Sequence, residues 1–200
     1  MKTNSLNRLY RAFGSLLLAA TFAAVPLQAE IVKAMVTWES IMCNKDYCQG
    51  RLHQLFSQIG SVADVNFNGQ SGKATLYWKP NFKFDLNAIN YSMHGLGLAS
   101  GVDNISVKVR GVIIHDSSSV TIQSIGDNTR FMLLSPTKPT RNRVNEEYNV
   151  MSHVLDPQVR QQLIDAESNF QLVTVEGPLF DIERSPLKII ISNVSVQARD

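Results

Sequence analysis

Residues 37–56 read TWESIMCNKDYCQGRLHQLF and hold both cysteines of the 200-residue chain, Cys43 and Cys48. From Cys48 onward, Leu52, Leu55, Phe56 and Ile59 recur at helical spacing, which puts Cys48 at the start of a helix. A thiolate at that place is stabilised by unpaired amides and by the positive end of the helix dipole, which makes it a better ligand or nucleophile. Two thiolates on a short loop suit a soft, low-coordinate ion such as Cu(I), and Met42 or Met35 would add a neutral thioether. In an oxidising compartment the same pair closes a disulfide instead. Tetrahedral zinc needs four ligands, and His53, His94, His115 and His153 are not spaced to complete such a set. Both the metal and the disulfide chemistry stay open at this point.

The compartment follows from the N-terminus. Residues 1–11 carry Lys2, Arg8 and Arg11 and no acid, and an apolar run, AFGSLLLAATFAAV, follows over 12–25. A basic start, a short apolar middle and Ala29 before Glu30 describe a secretory signal peptide over 1–29, cleaved after Ala29. The apolar run is shorter than the roughly 20 residues that a membrane span needs. The mature chain is therefore expected in the periplasm or outside a bacterial cell, with no transmembrane segment once the leader is removed. The full chain has 19 Lys+Arg and 17 Asp+Glu; removing the three leader bases leaves 16 against 17, a net charge of −1. A near-neutral protein lacks the broad positive field that phosphate backbones require, so nucleic acid is not an expected partner.

The elements that must position the cysteines can be read from periodicity. IVKAMVTW at 31–38 alternates as a strand, VADVNF at 62–67 and KATLYW at 73–78 alternate around the turn NGQSG, and these two make a hairpin. Asp85 caps a second helix that carries Leu86, Ile89, Met93 and Leu96, and Gly95, Gly97 and Gly101 end it. ISVKVRGVII at 105–114 is the next strand. The order β-α-β-β-α-β is that of a ferredoxin-like domain.

Strand, cysteine loop, amphipathic helix, GSVADVNFN and GKATLYW together resemble the heavy-metal-associated domain of copper chaperones and metal-pumping ATPases, over roughly 31–110. The anchor is Gly60, twelve residues after Cys48 and followed by Val62 and Val65. The resemblance implies a ligand role for Cys48, while Cys43 and Met42 are candidate ligands from the chemistry of the loop itself. The family's first cysteine position falls on Lys45, because the loop here is Cys-x4-Cys.

Past 105 the pattern changes. Strands are expected at 105–116, 120–125 and 130–134, then a basic loop, SPTKPTRNRVN at 135–145, then a helix opened by Asp156 and Pro157. Strands at 170–175 and 187–196 finish the chain. Three strands, a helix and two strands, with Gly111 bending the first, is the order of an OB-like barrel. The expected fold class is thus α+β: a ferredoxin-like βαββαβ domain at 30–103 and a small OB-like β-barrel domain at 104–200, sharing the strand 105–114.

No Gly-x-Ser-x-Gly, His-Glu-x-x-His or phosphate loop occurs, and the chain reads as a non-enzyme. Lys138, Arg141 and Arg143 form a basic loop suited to an acidic partner. Two functions of different class follow. One is an envelope protein that binds Cu(I) or a similar soft ion through Cys43, Cys48 and Met42 and works with metal-handling envelope proteins. The other is a non-catalytic module of an envelope protein complex in which Cys43 and Cys48 are disulfide-bonded.

Overall fold

The computed structural model describes residues 31–98, 105–136 and 154–197. The expected signal peptide at 1–29, the basic loop with Lys138, Arg141 and Arg143, and His153 lie outside these residues.

The first half is built from short-range signals. Strand β1 (Ile31–Thr37) turns Ala34 and Val36 inward and Lys33, Met35 and Thr37 outward after a bulge near its start. Helix α1 (Asp46–Ser57) buries Cys48, Leu52 and Phe56, one stripe at four-residue spacing, and Asp46 in its first turn complements the dipole. Strands β2 (Val62–Asn68) and β3 (Lys73–Trp78) pair antiparallel, and their turn is held by the Asn68 side chain, which accepts from the Ser71 N–H at 3.1 Å. Helix α2 (Leu86–His94) is capped by Asp85, whose carboxylate accepts from the Ala88 N–H at 2.9 Å. It buries Ile89 and Met93.

The second half runs through β4 (Ile105–His115), β5 (Val120–Ser124), β6 (Arg130–Leu134), α3 (Pro157–Ser168), β7 (Leu172–Phe180), β8 (Leu187–Ile190) and β9 (Asn193–Gln197). The strand expected from 170 begins two residues later. Phe170 takes a left-handed φ of 53° to close α3, and the Gln171 N–H donates back to the Ala166 oxygen. The last expected strand, 187–196, divides at 191–192. Its first part pairs parallel with β6 and antiparallel with the end of β7, whereas its second part pairs with the beginning of β7. The corner between them passes so close over Gly177 that a Cβ there would lie 1.9 Å from the Ile190 oxygen.

All nine strands belong to one sheet, in the order β2-β3-β1-β4-β5-β6-β8-β7-β9, and an additional pairing of β4 with β7 closes it on itself. The expected α+β architecture, a ferredoxin-like βαββαβ domain with a small OB-like barrel after it, is therefore corrected. The described residues are mostly β: a closed five-stranded barrel, β4-β5-β6-β8-β7, carries β1, β2, β3 and β9 as extra strands, with three α-helices against it. The physical reason lies in β4. Its inward residues Ile105, Val107, Val109, Gly111 and Ile113 alternate without interruption, so one strand meets β1 at 105–109 and β5 at 111–115 while β7 covers its other edge. Gly111 sits where the neighbour changes, and a Cβ there would lie 2.2 Å from the Gln123 oxygen.

The hydrophobic interior is accordingly continuous. Trp78 packs on Phe84 at 5.1 Å between ring centres, and Phe84 packs on Phe131 inside the barrel at 6.0 Å. Buried residues from Ile31 to Ile191 form a single cluster.

Candidate functional site

The cysteine loop is held from both sides. After β1, the Trp38 N–H donates to the Gly72 oxygen at 2.8 Å, and the Trp38 ring lies 5.4 Å from Phe67 on β2. A 3-10 turn, Ser40–Cys43, then brings the chain to Lys45, whose oxygen accepts from the Cys48 N–H at 2.9 Å as α1 begins. Cys43 and Cys48 meet as a disulfide with Cα atoms 5.5 Å apart. Both are inside the core, 1% and 8% exposed.

The other candidate ligand does not share that environment. Met42 is 54% exposed. His53 rests edge-on against Phe67 at 5.6 Å between ring centres. Among the described residues, no three or more His, Cys, Asp and Glu side chains gather as a group that could hold a metal ion. The sulfurs here belong to a disulfide, and a disulfide has no thiolate to offer a soft ion. The loop as folded staples β1 to α1.

Two carboxylates are tuned by their turns. Asp116, after β4, accepts from the Ser118 N–H and hydroxyl and from Ser119, and these donors hold its carboxyl well below the usual carboxylate range. Arg160 of α3 donates to the Asp116 backbone carbonyl oxygen at 2.9 Å, and His115 meets Glu167, so α3 is strapped to the β4–β5 turn. Beside this strap is a cleft of about 140 Å³ lined by Val120, Met132, Leu134, Leu155 and Arg160. Asp127, between β5 and β6, is half-buried. Burial pushes its carboxyl up, but hydrogen bonding from the Ser124 side chain, from Thr129 and from the Phe84 N–H at 3.0 Å outweighs this and leaves it lowered.

On the sheet face opposite α1 and α2 the structure gathers residues that sequence reading did not connect. Lys33 on β1, Lys108 on β4 and Glu176 on β7 stand in register across three neighbouring strands. Lys33 Nζ lies 3.0 Å and Lys108 Nζ 3.8 Å from the Glu176 carboxylate. Arg110 projects from the same face two residues past Lys108, opposite Thr174. Its Nε is buried and has no hydrogen-bond partner. The signal for this cluster was present in ISVKVRGVII, whose alternation puts Lys108 and Arg110 on one face, but the partners come from strands far apart in the chain.

The chain matches no family model, no curated protein and no solved structure.

Proposed function

We propose that this chain is an exported, non-catalytic interaction module of a bacterial envelope complex, with Cys43 and Cys48 serving as a structural disulfide. One observation carries the reading: both sulfurs are bonded to each other inside the core, at the joint between β1 and α1. A soft-metal carrier presents thiolates at an accessible loop, so that the ion can be passed on. Here the exposed Met42 stands alone beside buried sulfur. The fold is compatible with the same reading, since a closed five-stranded barrel with extra strands on one side leaves sheet surface for a partner. Copper handling is the second reading, favoured by the position of Cys48 in the first turn of α1, and it requires the pair to be reduced.

The discriminating experiment is thiol counting on mature protein taken from the envelope without reductant, followed by Cu(I) titration of the same sample. The expected result is no free thiol, no bound copper, and an N-terminus at or near Glu30. About one Cu(I) per chain, bound by protein as isolated, would replace the interaction module with the metal carrier.

A further inference from the structure

On the sheet face opposite α1 and α2, the three cations Lys33, Lys108 and Arg110 outnumber the carboxylates Glu176 and Asp64. Lys33 and Lys108 are directly opposite each other in register, an arrangement of like charges that destabilises a strand pair unless something intervenes. Glu176, opposite Lys108 on the far side, reaches both ammonium groups. One carboxylate thus serves two lysines and has nothing left for Arg110. The Arg110 guanidinium keeps a buried N–H that no protein atom accepts, a cost of a kind that native structures rarely leave without a reason. The side chains remain reachable: those of Lys33 and Lys108 are 27% and 36% exposed. Tyr77, opposite Lys33 on β3, adds an exposed ring and hydroxyl to the same row.

We propose that this face binds an acidic segment of a protein partner, whose carboxylates engage Lys33, Lys108 and Arg110. This rests on the interaction-module reading and names the chemistry of the partner and the surface it meets. The spacing fits an extended peptide. Lys108 and Arg110 are two residues apart on one strand, about 7 Å, and acids at alternate positions of an extended chain repeat at the same interval. The mixed signs favour a protein over a uniformly anionic polymer or membrane, because Glu176 among the cations, and Asp64 beyond Tyr77 in the same row, would repel a continuous run of phosphates. A peptide carries amide and ammonium donors that these acids can accept.

The test uses the oxidised mature protein and fluorophore-labelled hexaglutamate, read by fluorescence anisotropy. Wild type is expected to bind, and binding should weaken as salt is raised, since the contacts are between partly exposed charges. The double variant Lys108→Glu/Arg110→Glu should bind at least about tenfold more weakly, whereas Glu176→Gln should bind several-fold more tightly by removing the competing carboxylate. The opposite signs of the two changes separate recognition from a general loss of folding, and unchanged circular dichroism of Glu176→Gln secures the second. Wild type that does not bind the peptide, or a reversal variant that binds as well as wild type, overturns the proposal. So does binding to phosphatidylserine vesicles without binding to hexaglutamate, which would assign the face to a membrane surface. Free thiols and bound copper would remove the interaction-module reading instead, and the peptide titration reads this face independently because its substitutions lie opposite α1.

Discussion

At the scale of single residues, Asp127 joins two parts of the chain that are far apart in sequence. Its carboxylate accepts from the Phe84 N–H, 43 residues away, and from Thr129 in its own turn. Phe84 leads into α2 and stacks between Trp78 and Phe131, so the hydrogen bond fixes an aromatic that bridges the interior. Asp127→Ala leaves the Phe84 N–H unpaired in a half-buried place and should destabilise the protein by about 1–2 kcal/mol in urea denaturation at neutral pH. The pH dependence has a definite sign. The folded carboxyl is held below its ordinary value of 3.8, so its contribution is present above that pH and is lost as pH falls through the lower folded value. The gap in stability between wild type and Asp127→Ala should thus be constant near neutrality and narrow below pH 3.8. A gap that widens on acidification would show that the carboxylate does not stabilise through these bonds.

At the scale of elements, the disulfide decides how α1 meets β1. The first turn of α1 has no side-chain cap on Lys45, so the helix start is held by Cys48, which is both buried and bonded to the preceding turn. A ring closed across a separation of 5 residues removes about 2 kcal/mol of chain entropy from the unfolded state. Cys48→Ser should therefore lower the melting temperature by several degrees, and reductant should do the same to wild type but not to the variant. Equal sensitivity to reductant in both proteins would mean that the bond carries none of this stability. The sequence placed two cysteines and a helix start correctly in relation to one another, because helical periodicity and loop length are local. It left their chemistry open, since whether the sulfurs are buried depends on how α1 and its neighbouring strands assemble into one interior.

For the whole molecule, the question is whether the two halves unfold together. β4 lends its residues to both, and the interior runs without a break from the α1–α2 layer into the barrel. Both tryptophans, Trp38 and Trp78, lie in the first half, so fluorescence reports that part, while far-ultraviolet circular dichroism includes the barrel strands. The two signals should give one coincident transition in urea. Separate midpoints would show that the shared strand does not couple the halves energetically. The acidic-partner surface also belongs to this scale, because Lys33, Lys108 and Glu176 come from β1, β4 and β7 and meet only when all three strands are assembled.

What the sequence determined by itself is local. The alternation in IVKAMVTW and ISVKVRGVII set which side chains of β1 and β4 face inward, and four-residue spacing set the buried stripe of α1. Asp85 and Asp156 marked their helix starts. Each of these rests on residues within a turn or a strand length of one another. The tertiary structure alone decided the closure of β4 on β7, the division of the last strand over Gly177, and the grouping of two lysines around one carboxylate with Arg110 on the same face. Alternation says which face a residue takes but not which strand lies beside it. That choice is made by long-range pairing, where burial of the whole interior selects one set of neighbours.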